Sequence, residues 1–355
     1  MYKLIITQTV FFPLTDIIEA CKNLVDVAGV ESGDSVLVLA DTLTDAVLPR
    51  LVSENVRARG GTAVICISAP FPLYSIPKPV FSAACECEVL ISVASNLIVR
   101  NKDEQTLRSH GVRIAQVASP DIEVLGSDAA FFPMEVMEKL LDKCADSILA
   151  GKHLTLTDKK GTHFEADFDQ SVASKVKKGT RIGKGGLITF PLGVTGIEPL
   201  RNGEGKLCWD SVNGTPGWNR TWGHSIECTV KQGKCKEIAG GEIADALTER
   251  MKLVRGSDEV LELQWGLNPK MAVEANMEMS NKVPIERHAG VVHVGLGSGY
   301  GTGGLHIDGE ILAPSLYIDD KPLILEGKLL PLEDKEMIQV AEKYGDPAEV
   351  LSRAS

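Results

Sequence analysis

The sequence predicts an α/β domain with a mostly parallel sheet over residues 1–150, followed by an α+β, largely antiparallel domain over residues 151–355. Three observations lead there. Apolar runs of strand length alternate with amphipathic helical segments up to about residue 150. Beyond it the texture turns to alternation by twos with hairpin turns. The 355 residues are enough for two cores of ordinary size.

In order, "TDIIEACKNLVDVAGV" starts at a capping threonine, Thr15, and repeats its apolar residues at helical spacing. "DSVLVLAD" reads as a buried strand, "TLTDAVLPRLVSENVRARG" as a helix ending at glycine, and "TAVICIS" as the next strand. "FSAACECEVLISVAS" gives a helix end and a strand, and "DEQTLRSHG" with "VRIAQVAS" repeats the unit. Strands apolar on both faces and separated by helices predict a parallel sheet covered on both sides. No G-x-G-x-x-G or Walker-type run follows any of them, so no nucleotide site is expected. The expected role of this domain is to dimerise or to wall off a site.

The helix "FPMEVMEKLLDKCADSILAGK" links the halves. "HLTLTDKKGTHFEADFD" then reads as a hairpin turning at Lys-Lys-Gly, and "GLITFPLG", "SIECTVKQGKCKEIAG" and "VVHVGLG" continue the β signal. "GEIADALTERMKLVRG" is an inserted helix and "DKEMIQVAEKYGDPAEVL" a terminal one.

Composition narrows the function. A net charge of −11 with no basic cluster beyond the short "KVKKGTRIGKGG" argues against a nucleic-acid partner. No apolar run approaches the ~20 residues that span a bilayer. The opening "MYKLIITQTVFFPLTD" reads as a strand entering a helix, not as a signal peptide. The eight cysteines are scattered, with "CEC" (Cys85, Cys87) the one close pair and no CxxC. Reduced thiols in the cytoplasm are the expectation.

The chemistry concentrates at "GLGSGYGTGGLHIDGEIL", residues 295–312. Alternate strand residues share a face, so His306 and Asp308 point the same way. His293 stands on the preceding strand, and a loop folding the two strands together brings three donors to one place. Imidazole nitrogen and carboxylate oxygen suit zinc, manganese, cobalt or iron. A phosphate cradle fits less well, because no helix N-terminus follows the glycines. Two acids strengthen the metal reading. Glu262 in "VLELQWGLNP" lies in an apolar strand, where a carboxylate needs a partner or a cation. Glu204 in "NGEG" sits in what reads as a glycine-flanked turn able to aim it into a cleft.

The order of Glu204, Glu262 in "ELQWGLNP", His293 in "VVHVGLGS", Tyr300, then His306 and Asp308 in "GGLHIDG" resembles the aminopeptidase T and aminopeptidase S family of metallopeptidases. The likeness spans nearly the whole chain and is strongest from Glu204 to Asp308. It implies a homodimer, and two acids, a histidine, a tyrosine and a final H-x-D around a pair of divalent ions. Two features depart from that pattern: the chain is shorter, and the loop after Tyr300 is cut to "GTGGL". A related branch, the 2,5-dihydroxypyridine dioxygenases, has a similar length and keeps the H-x-D around one ferrous ion.

The leading expectation is therefore a metal-dependent hydrolase acting on an amide bond in a peptide or small molecule. Glu204, Glu262, His293, His306 and Asp308 would hold one or two ions (zinc, cobalt or manganese), with Glu262 bridging and the bound water acidified to a pKa of about 7. Tyr300 would donate to the oxyanion, and Glu204 would act as general base if it stays off the metal. The rival is an Fe(II) ring-opening dioxygenase with His293, His306 and Asp308 as the triad. It would draw on Trp209, Trp218, Trp222 and Trp265 for an aromatic pocket. The third is a metal-binding protein without turnover. His163 and His224 are expected at the surface, and His110, His153 and His288 carry no signal.

Overall fold

The computed structural model describes residues 14–72, 75–174, 179–213, 225–271, 284–297 and 305–354, apart from the side chains of Leu14, Thr15, Glu123, Ser174 and Asn213. Helix α1 (Leu14–Val27) leads into β1 (Ser35–Asp41), α2 (Leu48–Ala58), β2 (Thr62–Ser68), α3 (Lys78–Ala84), β3 (Val89–Ser92), α4 (Lys102–Ser109) and β4 (Arg113–Val117). Thr15 falls inside the first turn of α1 and not at its cap. The strands pair in parallel, in the order β2-β1-β3-β4.

Alternation along these strands feeds two cores. Val36, Val38, Val89, Ile91 and Ala115 face one, and Leu37, Leu39, Leu90 and Ile114 face the other. Burial on both faces is why the central strands are apolar throughout. The edge strand β2 departs from the expected two-sided cover: Val64 and Ile67 are 58% and 61% exposed.

After α5 (Ile122–Leu125), α6 (Met134–Ala150) buries Val136, Leu140, Cys144 and Ile148 along one stripe. It delivers the chain to the hairpin of β5 (His153–Thr157) and β6 (His163–Asp167), whose turn closes on Asp158 Oδ1 accepting from the Lys160 and Thr162 amides. Then β7 (Leu187–Phe190) returns to pair in parallel with β4. "GLITFPLG" was expected in the antiparallel half, but its strand completes the first sheet. A four-residue apolar run carries no information about its direction or its partner.

The remaining strands are β8 (Val194–Ile197), β9 (Arg201–Trp209), β10 (Ser211–Asn213), β11 (Ile226–Lys231), β12 (Lys234–Ala239), β13 (Val260–Gly266), β14 (Val292–Leu296), β15 (Ile307–Ile311), β16 (Ser315–Ile318), β17 (Lys321–Leu325) and β18 (Lys328–Leu329). They build two antiparallel sheets, β12-β11-β9-β6-β5-β16-β17-β18 and β10-β15-β14-β13-β8. Helix α7 (Glu242–Leu253) joins β12 to β13. The expected terminal helix is two short ones, α8 (Lys335–Ala341) and α9 (Pro347–Val350), parted where Gly345 takes a positive φ and Pro347 starts a new turn. The larger core runs unbroken from Ile17 to Ala341, so the parallel and antiparallel halves share it. No helix among the described residues is long and apolar enough to cross a membrane.

Candidate metal centre

Two rows of residues cross the five-stranded antiparallel sheet. Glu262 on β13 stands opposite Gly295 on β14, which stands opposite Asp308 on β15. One step along, Gln264, His293 and Glu310 form the second row. Alternation puts both rows on one face, while Leu263, Trp265, Val292, Val294 and Ile307 fill the other. A β-bulge between Val260 and Glu262 re-aims the acid at the start of its row. His306, just before β15, completes the cluster.

Gly295 is what lets the row close. A Cβ there would stand 2.7 Å from Glu262 Cγ and 3.0 Å from His306 Cε1, so any side chain would push both donors away.

The cluster is buried: Glu262 and His306 are each 1% exposed and His293 4%. His306 Nε2 lies 2.9 Å from Asp308 Oδ1 and 3.3 Å from Glu262 Oε1. His293 Nε2 lies 3.8 Å from Glu262 Oε1 and 3.9 Å from Asp308 Oδ1. The Nδ1–H of His306 donates to the Gly297 carbonyl at 2.6 Å, which leaves Nε2 as the lone-pair atom facing the acids.

These separations fit a cation. Donors bound to one ion at about 2.1 Å stand roughly 3–4 Å from one another. Glu262, His293 and Asp308 each offer a ligand atom, all within 4.8 Å. Glu262 Oε2, His293 Nδ1, His306 Nε2 and Asp308 Oδ1 are buried without a hydrogen-bond partner among the described residues. Buried polar atoms are seldom left so, and an ion at the cluster satisfies His306 Nε2 and Asp308 Oδ1 together.

The electrostatics agree. Burial disfavours charge on every member, yet the members overcome it mutually. Against burial, Asp308 beside His306 pushes that imidazole up to about 10, and Asp308 and Glu262 raise His293. Against burial, Arg100 and the two histidines hold Glu262 well below the usual carboxylate range, and His306 and His293 lower Asp308. The site thus favours two carboxylates facing two positive charges, a pattern that a dication with neutral imidazoles can replace.

Two residues at the site had not been singled out from the sequence. Arg100 reaches across from the loop after β3, its Nη2 2.8 Å from Glu262 Oε1. Nothing local marks it, since only the fold joins positions 100 and 262. Glu310 is fully buried and engaged by the Ser211 hydroxyl across the β10–β15 pairing. The alternation that groups His306 with Asp308 extends to Glu310 and was the available signal.

Other expected members lie elsewhere. Glu204 is not in a turn but within β9 of the eight-stranded sheet, paired with Glu165 and exposed, where its Oε1 accepts from the Gln232 amide at 2.7 Å. It is no part of the donor cluster: its place on β9 turns its side chain to solvent. Tyr300, Trp218, Trp222 and His224 lie outside the described residues. Trp209 and Trp265 are core residues on the far side of the sheet, and Trp209 packs so tightly on Gly309 that a side chain there would overlap its ring. They do not line an aromatic pocket at the donors. His163 is exposed on β6. His288 is structural: it is buried between the Met271 carbonyl and Arg353, whose Nε donates to its Nε2 at 2.6 Å.

Fold and cluster together define the class: an α/β half joined to an antiparallel half that buries a histidine–carboxylate centre suited to a divalent cation. The chain belongs to the NicX family, 2,5-dihydroxypyridine 5,6-dioxygenase, whose model matches residues 16–331. Among solved structures it is similar to 2,5-dihydroxypyridine dioxygenase from Pseudomonas putida, with a TM-score of 0.70, 16% identity, and coverage of 89% of this chain and 98% of that one. It is also similar to wild-type AmpT from Thermus thermophilus, with a TM-score of 0.55, 12% identity, and coverage of 89% and 99%. At these identities the likeness is one of fold. No curated protein matches at a significant level. Both branches of the resemblance read from the sequence are represented.

Proposed function

We propose that the protein is a mononuclear Fe(II) dioxygenase that opens a hydroxylated nitrogen heteroaromatic ring of the 2,5-dihydroxypyridine type. One observation carries this reading. The donors gather into a single buried cluster, while Glu204, the acid that a second ion would draw on, faces solvent in another sheet. The family match supports the same chemistry.

His293, His306 and Asp308 would hold the metal, the two-histidine, one-carboxylate set that leaves positions open. When bound, ferrous iron supplies the one-electron chemistry that dioxygen requires. The chain's own residues do the rest. The Gly297 carbonyl fixes the His306 tautomer. Arg100 orients Glu262 through Oε1 and holds it as a carboxylate beside the metal ligands.

A second reading, a metal-dependent hydrolase cleaving an amide bond with zinc, cobalt or manganese, draws on the fourth donor, Glu262, and on the likeness to AmpT. Loading the metal-free protein anaerobically with Fe(II) and measuring oxygen uptake on 2,5-dihydroxypyridine tests the first. An aminoacyl-amide assay with the zinc, cobalt and manganese forms tests the second. Amide cleavage without oxygen uptake would reverse their order.

The chain is further taken as a homodimer. The edge of β2, unpaired among the described residues, neutral and with Val64 and Ile67 exposed, suits a symmetric copy of itself.

A further inference from the structure

The eight-stranded sheet ends in the hairpin of β11 and β12, which turns on Gln232 and Gly233, both at positive φ (53° and 70°). Cys228 stands opposite Ile238 and Thr229 opposite Glu237, but Val230 then stands opposite Cys235. Lys236 is thus the extra residue of a β-bulge. Opposed residues share a face, so without the bulge Val230 would meet Lys236 and Cys235 would point away from Cys228. The bulge turns Cys235 inward. Both thiols are buried, and the Cys228 thiol donates to Cys235 Sγ across 3.0 Å. A disulfide bond is about 2.05 Å long, so the sulfurs are about 1 Å short of one. Among the described residues no third histidine, cysteine or acid joins the pair at ligand distance, which sets it apart from the metal centre. Cys235 also lines a cavity of about 290 Å³ between β12 and α7, shared with Thr248, Met251 and the exposed Lys236 and Lys252.

We propose that Cys228 and Cys235 form a modification site, a dithiol that hydrogen peroxide entering by this cavity converts reversibly to a disulfide. Cys235 is the point of attack, because it is the one of the two that lines the cavity. The hydrogen bond from Cys228 also lowers the Cys235 thiol below its ordinary value, while the same contact, with burial, raises Cys228. The Cys235 sulfur attacks one peroxide oxygen, the O–O bond breaks, and the other oxygen leaves as water with the thiol proton. Cys235 is then a sulfenic acid. The Cys228 sulfur attacks it, the S–S bond forms, the S–O bond breaks, and the second oxygen leaves as water with the Cys228 proton. In all, two thiols lose two electrons and one peroxide becomes two waters. The backbone holds its place as the sulfurs close. The Cys235 amide donates to the Asp258 carbonyl at 2.7 Å and the Val260 amide to the Gly233 carbonyl at 2.8 Å, which fastens the hairpin to the start of β13. The assignment does not depend on which metal sits at the donors.

The test exposes the native full-length protein to hydrogen peroxide, quenches it with iodoacetamide in urea, and digests it with trypsin without reduction. Trypsin cuts after Lys231 and Lys234, so only a disulfide keeps the Cys228 and Cys235 peptides together. Mass spectrometry should find that linked pair forming about tenfold faster than the exposed Cys85 oxidises. Dithiothreitol should return both thiols. Separate, alkylated Cys228 and Cys235 peptides at a dose that has already oxidised Cys85 overturn the proposal. In Cys228→Ser, Cys235 should stop at the sulfenic acid and be captured by dimedone. In Cys235→Ser, Cys228 should remain a thiol at the same dose. Capture at Cys228 in that variant, with none at Cys235 in the other, overturns Cys235 as the point of attack. Should either variant fail to fold, the wild-type digest still decides whether the pair closes.

Discussion

Both the parallel sheet and the five-stranded antiparallel sheet bury polar side chains, but they treat them differently. In the parallel sheet Asp41 accepts from Ser95 and Leu43, Gln116 bonds the Ile98 amide and the Thr189 hydroxyl, and Arg113 pairs with Asp34. Each is satisfied by the chain itself. In the antiparallel sheet Glu262, His293 and His306 are as deeply placed, half-buried Asp308 converges with them on one point, and each of the four keeps a buried atom with no hydrogen-bond partner among the described residues. Satisfied buried polar groups hold structure together, whereas unsatisfied and convergent ones mark a ligand. The second arrangement is costly in the absence of that ligand.

The sharpest break of this contrast is Asp308→Ala. Metal affinity, read by elemental analysis after dialysis, should fall by more than about 100-fold, and activity should go with it. Full metal content in the variant would sink the donor assignment. Asp41→Ala in the parallel sheet should leave metal content unchanged and lower only the midpoint of urea unfolding.

Next in size is a pH effect outside the site. Burial first, and Arg353 after it, depress His288 to about 4 against the opposing Met271 carbonyl. The unfolded chain takes up that proton near pH 6.5. The stability tied to neutral His288 is therefore present above pH 6.5 and lost as pH falls toward 4, about 3 kcal/mol in all. Urea unfolding at pH 7.5 and 4.5 should show a flatter dependence in His288→Asn; identical slopes in the two proteins would refute the assignment.

Gly295→Ala should weaken metal binding about tenfold with the fold retained, because its Cβ displaces Glu262 and His306 without removing either. Circular dichroism and calorimetric metal titration separate those outcomes. Smallest is Ile67→Asp on the edge of the parallel sheet. It should change the unfolding free energy of the chain by within about 0.5 kcal/mol, yet shift sedimentation from dimer to monomer. A monomeric wild type would remove the dimer proposal.

How much was legible follows from what each signal measures. Glu262, His293, His306 and Asp308 could be picked out because an acid in an apolar strand and a histidine two residues from an aspartate are local patterns. Glu204 shows the limit of that approach: glycine neighbours suggest a turn, but β9 continues through them and faces the acid outward. The direction of β7 and the partner of Arg100 have no local signature.

The sequence by itself determined the order of elements, the two-sided burial of the central parallel strands, and which donors share a strand face, because periodicity depends only on neighbours along the chain. The tertiary structure alone decided that Glu262 and Asp308 fall in one row with a glycine between them, that Glu204 is left out, and that Arg100 reaches in from the other half. Strand register and packing join residues whose separation in sequence carries no trace of their meeting.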